Sequence, residues 1–369
     1  MDRKLRIGII GTGTISNKHA TGYKALSDVC EVVAAADLVP GKAQEFIDRH
    51  GFNAKAFTDH RELLKMDLDA VSICTYNTQH APCAIDAMRS GKHVLLEKPM
   101  CVTMEEATEL RRVEKETGKI LTIGFQPRYD DNMKKIKEIV ESGDLGKVYY
   151  VQIGGGRRRG IPDCWTFNEK RTTGIGVLGD LGCYAVDMAL NALGYPKPLT
   201  VSAITTNYFG TDPFHNGEKA AKFDVDDFAV ALIRLEGGIT LDFRTSWAMH
   251  MDTMGATLFL GTKAGLKIES PFPEVPWGGG WDGTTGPMTL YFDGKDTEDC
   301  LSAPVEFVSK TKDKTAIFNA KVKAFVDAVL TNGPAPIPTS QIIYNQAILD
   351  GIARSAELGK EVEIVIPEV

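Results

Sequence analysis

Long apolar runs, an excess of positive charge and a secretion signal are all missing from this sequence. No uninterrupted apolar stretch among its 369 residues reaches the length of a bilayer-spanning helix. The N-terminal MDRKLRIGII lacks the apolar core and the small-residue cleavage site of a signal peptide. The formal net charge is −7, from 42 basic and 49 acidic residues. We therefore expect neither nucleic acid nor a membrane as a partner.

Clustered cysteines and metal-binding spacings are missing too. The seven cysteines are scattered without a C-x-x-C pair, and the seven histidines show no metal-ligand spacing. An odd, unclustered set is typical of reduced thiols in a cytoplasmic protein. The sequence thus predicts a cytoplasmic location and no metal site.

The first third of the chain contains a regular alternation of strand and helix. Five short apolar runs predict buried strands: LRIGII, EVVAAAD, AVSICT, HVLLEK and ILTIG. The segments between them have helical patterns that end at glycines. This alternation predicts an α/β fold with a parallel, doubly wound sheet, which we assign to residues 1–125.

The pattern changes in residues 126–369. A helix at 178–194 precedes several closely spaced strand-like runs, and EGG at 236–238 is typical of a hairpin turn. These features predict a second, α+β domain with a mainly antiparallel open sheet. Two final helices, near 315–332 and 339–358, could pack back on the first domain.

The stretch GTGTIS (11–16) follows the first predicted strand and opens a helix. Gly11 suits a tight turn, and Gly13 lets a pyrophosphate approach the helix N-terminus, where unpaired N–H groups and the helix dipole attract anions. Ser16 stands at the third glycine position of the G-x-G-x-x-G motif, so the match is imperfect. We expect this loop to bind a dinucleotide through Gly11, Gly13, Thr14 and Ile15.

Asp37 stands at the end of the second predicted strand. A carboxylate there accepts hydrogen bonds from the ribose 2′-OH of NAD and repels the 2′-phosphate of NADP. Lys42 is the only cation that follows closely. The sequence therefore favours NAD, and a second role for Asp37, capping the next helix, is compatible with this one.

Polar residues follow two other predicted strands, in CTYNTQH (74–80) and EKPM (97–100). Parallel sheets bind ligands at the carboxyl ends of their strands. Lys98 is not needed for a core, so it is either solvated or directed into the crevice. Pro99 fixes the local backbone and could follow a cis peptide bond.

The segment LGDLGCYAVDMALN (178–191) carries an unusual set of polar residues. In a helix, Asp180, Tyr184, Asp187 and Asn191 would share one face, because they lie 4, 3 and 4 residues apart. A neighbouring face is apolar. The polar face is either an ordinary solvated surface or a proton-transfer site.

Taken together, these segments resemble the glucose–fructose oxidoreductase and inositol dehydrogenase (Gfo/Idh/MocA) family. The resemblance covers nearly the whole chain and rests on GIIGTGTIS, EVVAAAD, AVSICTYNTQH, SGKHVLLEKPM, SGDLGKV and GVLGDLGCYAVDMALNALG. It implies an N-terminal dinucleotide-binding domain and a C-terminal domain with an open, mainly antiparallel sheet. It also implies oxidation or reduction of sugars, polyols or their derivatives with NAD or NADP.

The resemblance assigns roles to the strand-end residues. Lys98 matches the active-site lysine of the family, and Glu97 matches a residue at the nicotinamide end of the cofactor. Asn77 and His80 match positions that line the cofactor, and Thr75 precedes them at the same strand end.

The resemblance also identifies 178–191 as the catalytic helix. Asp180 matches the aspartate of the family, and Tyr184 falls where many members carry a catalytic histidine. Some relatives, including glucose–fructose oxidoreductase and the dihydrodiol dehydrogenases, carry tyrosine at this position.

Oxidising a secondary alcohol requires a base that takes the hydroxyl proton. A free tyrosine has a pKa near ~10, which a neighbouring cation lowers and neighbouring carboxylates raise. We hypothesise that Tyr184 exchanges the proton, that Lys98 orients the substrate oxygen and tunes Tyr184, and that Asp180 positions substrate and Lys98. In the alternative, Lys98 is itself the acid/base and Tyr184 only binds substrate. Asp187 could be a structural hydrogen-bond acceptor.

Substrate contacts are expected from GGGRRRGIPDCW (154–165). Its three arginines, Arg157, Arg158 and Arg159, could bind an anionic or hydroxyl-rich substrate, and Trp165 could pack on a sugar ring. Arg128, after GFQP, is a similar candidate, and His250 could reach the substrate from the sheet. The alternative is a solvated loop, since runs of charge usually face water.

The leading interpretation is an NAD-dependent oxidoreductase of a sugar, polyol or sugar derivative. By resemblance we expect a homodimer or homotetramer formed through the C-terminal sheet. Two alternatives remain. One is a glycosidase or lyase that retains NAD and acts by transient oxidation, and the other is a non-catalytic NAD/sugar sensor.

Overall fold

The fold was analysed in a computed structural model that describes residues 3–251, 254–269, 286–294, 299–305 and 315–368. The strands are β1 (Leu5–Ile10), β2 (Cys30–Ala36), β3 (Lys55–Phe57), β4 (Ala70–Ile73), β5 (His93–Leu96), β6 (Leu121–Ile123), β7 (Val148–Gly156), β8 (Pro198–Thr206), β9 (Phe228–Leu235), β10 (Ile239–Ser246), β11 (Thr257–Gly261), β12 (Ala264–Ile268), β13 (Met288–Asp293), β14 (Cys300–Val305) and β15 (Val362–Glu363). The helices are α1 (Ser16–Lys24), α2 (Lys42–His50), α3 (His60–Leu64), α4 (His80–Arg89), α5 (Met104–Thr117), α6 (Asp131–Glu141), α7 (Trp165–Asn168), α8 (Lys170–Thr173), α9 (Cys183–Leu193), α10 (Pro213–Asn216), α11 (Thr315–Thr331) and α12 (Thr339–Leu358).

Strands β1 to β6 form a six-stranded sheet in the order β3-β2-β1-β4-β5-β6. Every pair in this sheet is parallel. This is the strand order of the doubly wound dinucleotide-binding fold. The predicted α/β class is confirmed, and the five predicted strands correspond to β1, β2, β4, β5 and β6. The short edge strand β3 has no apolar pattern of its own, which explains why the sequence did not predict it.

A nine-stranded sheet is built from the remaining strands in the order β14-β13-β12-β11-β7-β10-β9-β8-β15. Only β7 and β10 pair in parallel, and the other pairs are antiparallel. The predicted mainly antiparallel sheet is therefore confirmed. The hairpin at EGG joins β9 to β10, where Gly237 and Gly238 adopt φ of 80° and 76°, a backbone region that favours glycine.

Contacts between Cα atoms divide the chain into two compact units. The first comprises the described residues of Met1–Gln126, Asp313–Ile343 and Pro367–Val369, and the second those of Pro127–Lys312 and Tyr344–Ile366. The predicted boundary between residues 1–125 and 126–369 differs from this division mainly in α11. That helix packs against α1, where Val322 lies so close to Gly22 that an added Cβ would be 2.8 Å from its side chain.

Among the described residues, one helical stretch, Lys170–Leu193, has the length and apolar composition of a bilayer-spanning helix. The protein buries 83% of its most apolar window, as is typical of a helix in a protein core. Its central turn, Leu178–Gly182, is π-helical and leads directly into α9. The predicted helix is present, but its irregular turn breaks the even spacing on which one polar face would depend.

Candidate active site

The loop between β1 and α1 has the features that a bound pyrophosphate requires. Gly11 adopts φ +86°, and a Cβ there would lie 2.7 Å from the backbone of Cys74. A Cβ on Gly13 would meet nothing within 4 Å, so space is open above this residue. Among the described residues, no hydrogen-bond acceptor occupies the backbone N–H groups of Gly13, Thr14 and Ile15. The loop thus fits the phosphates of a dinucleotide.

Asp37 follows β2 and binds this loop directly. Its Oδ2 accepts hydrogen bonds from the backbone N–H and the hydroxyl of Thr12, at 2.9 and 2.8 Å. Its Oδ1 accepts from the backbone N–H of Val39 at 3.0 Å. The carboxylate therefore ties the glycine loop to the end of β2, and it retains lone pairs for a ribose hydroxyl.

Three predicted cofactor residues lie beyond the end of β4. Thr75 and Asn77 are partly exposed, and the buried hydroxyl oxygen of Thr75 has no partner among the described residues. His80 differs, since it is 1% exposed and donates from Nδ1 to the Pro99 carbonyl at 2.6 Å. Burial lowers the pKa of this imidazole, which favours the neutral form. His80 thus holds the strand ends together, and direct contact with a cofactor is not the role that its burial supports.

Glu97, at the end of β5, belongs to a buried polar network. Its carboxylate accepts hydrogen bonds from Lys321 Nζ and, at 2.7 Å, from His19 Nε2. The other imidazole nitrogen, Nδ1, lies 3.0 Å from the hydroxyl of Ser72, which in turn lies 2.7 Å from the hydroxyl of Tyr23. A neutral His19 protonated at Nε2 satisfies the whole chain of bonds.

The charge of Glu97 is stabilised inside this network. Burial alone would raise the pKa of Glu97, but the Lys321 ammonium and the His19 N–H together hold it well below its ordinary value. Burial and the Lys321 charge also lower the pKa of His19. Any contact between Glu97 and the nicotinamide end of the cofactor would therefore use a carboxylate that His19 and Lys321 already bind.

Lys98 lies next to this network and is partly exposed, unlike Glu97, Pro99 and Met100 around it. The Lys98–Pro99 peptide bond is cis. The position at the carboxyl end of β5 is the one at which doubly wound sheets bind ligands.

In the second unit, Asp180 lies in the π-helical turn before α9 and is partly exposed. The indole Nε1 of Trp247 donates a hydrogen bond to Asp180 Oδ2 at 2.9 Å. Trp247 follows β10 and is fully buried. One carboxylate oxygen is thus fixed by a side chain of the core of the second unit.

Tyr184 occupies the first turn of α9 and is partly exposed. Asp187 and Asn191 on the same helix are only 2% and 9% exposed. The proposed polar surface is therefore mostly interior, and an ordinary solvated face is not what the structure shows. Only Asp180 and Tyr184 of the four polar side chains remain partly open.

Arg128 binds Asp187, and this finding argues against its expected contact with substrate. Its Nε and Nη2 donate to the two carboxylate oxygens at 2.9 and 2.6 Å, and Nη2 also contacts the hydroxyl of Tyr195. The side chains of Arg128 and Asp187 are only 10% and 3% exposed. Asp187 is a structural acceptor, as the sequence allowed, and the guanidinium that pairs with it holds α9 in place.

The other predicted substrate residues lie at one end of the second sheet. Arg159 follows β7, and its guanidinium lies 5.2 Å from the centre of the Phe209 ring. His250 is exposed, and its Nε2 is 3.3 Å from Arg159 Nη2. Trp165 is 48% exposed, with Arg171 stacked at 4.9 Å from its ring. Arg159 and His250 are thus brought together as neighbours.

Four residues of these clusters carry no signal that we used in the sequence: His19, Lys321, Trp247 and Phe209. Lys321 lies in helix α11, four residues after Ile317 and four before Phe325, on the face that a core helix should keep apolar. That signal could have indicated a buried ion pair. Trp247 and Phe209 each follow a predicted strand, but nothing in the sequence shows which partner they contact. Among the described residues, no group of three His, Cys, Asp or Glu side chains could hold a metal ion.

Comparison with known proteins identifies both units. Residues 5–125 match an oxidoreductase family with an NAD-binding Rossmann fold, GFO/IDH/MocA, and residues 133–267 match the C-terminal domain of that family. D-glucoside 3-dehydrogenase of Escherichia coli is 32% identical over 271 residues, which cover 72% of this chain and 77% of that protein. Inositol 2-dehydrogenase of Salmonella typhimurium is 34% identical over 149 residues, or 40% of this chain and 44% of that protein.

Solved structures support the same fold. A levoglucosan dehydrogenase in complex with NADH superposes with a TM-score of 0.82 at 21% identity, with all of both chains covered. An aldose–aldose oxidoreductase from Caulobacter crescentus superposes with a TM-score of 0.77 at 22% identity, over 98% of this chain and 100% of that one.

Proposed function

This chain belongs to the Gfo/Idh/MocA family of NAD-binding oxidoreductases, and we propose that it oxidises or reduces a sugar, a polyol or a sugar derivative with NAD. The observation that carries the proposal is the 271-residue match to a D-glucoside 3-dehydrogenase. The glycine loop and Asp37 add support, since they fit a dinucleotide with a free 2′-hydroxyl. We assign cofactor contacts to Gly11, Gly13, Thr14, Ile15, Asp37, Thr75 and Asn77.

The chemistry is assigned to three side chains. Bound NAD⁺ supplies the two-electron acceptor for the hydride that leaves the alcohol carbon. Tyr184 takes the hydroxyl proton of the alcohol and returns it in the reverse direction. Lys98 donates a hydrogen bond to the substrate oxygen, and its positive charge favours the phenolate form of Tyr184. Asp180, whose Oδ2 the Trp247 indole holds, accepts a hydrogen bond from the substrate.

The first experiment supplies purified protein with NAD⁺ and a panel of sugars, polyols, sugar acids and glycosides. NADH absorbance and loss of substrate are followed together. NADH that appears with one class of substrate supports the dehydrogenase. Substrate loss without net NADH points instead to a reaction that retains the cofactor, and ligand binding without either change points to a sensor.

The acid/base assignment is tested with Tyr184→Phe and Lys98→Met. If Tyr184 exchanges the proton, Tyr184→Phe lowers kcat by roughly a hundredfold or more and removes the group whose deprotonation sets the acidic limb of the pH profile for oxidation. If Lys98 is the acid/base, Tyr184→Phe keeps most of kcat and raises KM, while Lys98→Met abolishes turnover.

We further assign the enzyme to the cytoplasm and to a homodimer or homotetramer. All seven cysteines lie in the described residues and none forms a disulfide, which agrees with a reducing compartment. The open face of the nine-stranded sheet carries exposed apolar side chains that a second copy would cover.

A further inference from the structure

Three strands of the second sheet end on the same side. β7 pairs parallel with β10, and β8 runs antiparallel to β9, which runs antiparallel to β10. β7, β8 and β10 therefore point the same way. Trp247 follows β10 at this end and donates a hydrogen bond to Asp180. The loops after β7 and β8 therefore lie at the same end of the sheet as Trp247.

Arg159, in the loop after β7, is held in one place by neutral groups. It pairs with Ala248 in an isolated antiparallel bridge. Its Nη1 donates to the carbonyls of Met249 at 2.9 Å and Arg158 at 2.6 Å. Its guanidinium lies over the Phe209 ring, a cation–π contact that holds the charge without neutralising it.

The charge of Arg159 has no counterpart in the part of the chain that the structure describes. No carboxylate lies within salt-bridge distance of Arg159 among those residues, and its Nε–H makes no bond to any of them. Arg128, Arg171 and Arg244 in the same unit each bind a carboxylate. Arg159 is partly buried, and its guanidinium is fixed with no carboxylate partner among the described residues, although desolvating a charge is costly unless an opposite charge compensates it.

We propose that the substrate carries an anionic group, a carboxylate or a phosphate ester, which Arg159 binds. The inference rests on the proposed oxidoreductase function and narrows its substrate to a sugar acid or a sugar phosphate. A planar guanidinium binds such groups through two parallel hydrogen bonds. Because Arg159 is already held by Met249 and Phe209, little side-chain entropy is lost on binding.

Exposed aromatic rings beside the same strand ends suit the rest of a sugar. Tyr208, in the loop after β8, is 76% exposed, and Phe214 is 89% exposed with its ring 5.0 Å from that of His215. A sugar ring presents an apolar C–H face together with polar hydroxyls, so it can pack on such rings while its anionic group meets Arg159. Asp212 lies 3.6 Å from His215 in this cluster, and among the described residues it forms no salt bridge with Arg159.

The test uses substrate pairs that differ by one anionic group. Methyl glucoside is compared with methyl glucuronide, sorbitol with gluconate, and glucose with glucose 6-phosphate, with NADH formation measured for each. We expect kcat/KM for the anionic member of at least one pair to exceed that of its neutral partner by about tenfold or more. Preference in the first two pairs identifies a carboxylate, and preference in the third a phosphate ester.

Variants then assign the preference to Arg159. Arg159→Met should reduce the anionic-to-neutral ratio of kcat/KM by about tenfold or more, and Arg159→Lys should retain part of it. Arg158→Met is the matched control, since it removes the same charge from an adjacent, exposed side chain, and its ratio should stay within about threefold of wild type.

The possible failures are distinct. Equal or better turnover of the neutral members overturns the inference and leaves the proposed function intact. An equal loss of preference in Arg158→Met and Arg159→Met overturns the assignment to Arg159. If NAD⁺ binds and no pair yields NADH or loses substrate, both the inference and the proposed function are contradicted.

Discussion

The indole N–H of Trp247 fixes one oxygen of Asp180, a residue that we assign to substrate binding. We predict that Trp247→Phe lowers kcat/KM by about tenfold or more, since a hydrogen bond to a charged group contributes roughly 1.5–3 kcal/mol. The dissociation constant of NAD should be unchanged, because the glycine loop and Asp37 belong to the other unit. Steady-state kinetics and NAD titration provide the two measurements.

A matched control separates the hydrogen bond from packing. Phe223 contacts the Trp247 ring edge-on at 6.4 Å between ring centres, so Phe223→Leu disturbs the same pocket and leaves the N–H in place. Full activity in Trp247→Phe together with a loss in Phe223→Leu would show that only packing matters.

Asp227 predicts a pH dependence of stability. Burial raises the pKa of its carboxyl to about 6, although the backbone N–H of Gly210 donates to it at 2.6 Å. The folded state therefore holds this proton more tightly than the unfolded state, whose ordinary value is near 3.9. The contribution of the Asp227 carboxyl to the free energy of unfolding is complete below about pH 4 and is lost as the pH rises through 6.

The predicted size of this loss is about 2–3 kcal/mol. Wild type and Asp227→Asn are unfolded in urea between pH 4 and pH 7.5, and the wild type should lose stability relative to the variant over this range. Asp144→Asn, at an exposed carboxyl, is the control and should run parallel to wild type. A constant difference between wild type and Asp227→Asn would contradict the prediction.

At the residue scale, the sequence predicted positions better than contacts. Gly11, Gly13 and Asp37 lie where their motif indicates, because a strand, a tight turn and a helix follow one another locally. The partners of Arg128, Asp187 and Tyr195, lie 59 and 67 residues away in the sequence. No local sequence pattern indicates such a contact. His80 begins α4, beyond the end of β4, and only the structure shows that it is buried.

At the scale of elements, α11 is joined to the strands of the first unit through one buried ion pair. Lys321 on α11 binds Glu97 at the end of β5, and their side chains are 1% and 4% exposed. We predict that Lys321→Met lowers the free energy of unfolding by about 3–5 kcal/mol, since it leaves a buried carboxylate without its cation. Urea unfolding of the purified variant measures this loss.

The double variant Lys321→Met/Glu97→Gln provides the test of mechanism. With both charges removed, no uncompensated ion remains, so the double variant should be clearly more stable than the sum of the two single losses predicts. Additive losses would mean that the two side chains contribute separately. Lys323→Met is the control, because Lys323 pairs with Asp327 on the exposed side of the same helix and its loss should stay below about 1 kcal/mol.

Element boundaries show where sequence periodicity is reliable. Helix α5 begins after Thr103, which forms a capping box with Glu106, a local pattern that can be read from the residue spacing alone. The helix predicted at 178–194 contains a π-helical turn at Leu178–Gly182. A regular period of 3.6 residues could not reveal this turn, because its extra residue depends on packing. The assignment of α11 to the first unit likewise depends on contacts with α1 that are distant in sequence.

For the whole molecule, the open face of the nine-stranded sheet is the feature that the proposed assembly uses. Ile204 on β8 lies opposite Val230 on β9. Leu232 is two residues after Val230 and therefore lies on the same face of the sheet. Ile204 is 62% exposed and Leu232 is 44% exposed. Neighbouring exposed apolar side chains on a sheet are typical of a surface that a partner covers.

We predict that wild type sediments as a dimer or a larger assembly and that Ile204→Glu/Leu232→Glu shifts it to the monomer. Burying a carboxylate in an apolar interface costs several kcal/mol, which is enough to dissociate a contact of ordinary size. Leu358→Glu, at an equally exposed leucine on α12, is the control and should keep the assembly. A wild-type monomer would contradict assembly through this sheet, and an assembly that survives the double substitution would place the interface elsewhere.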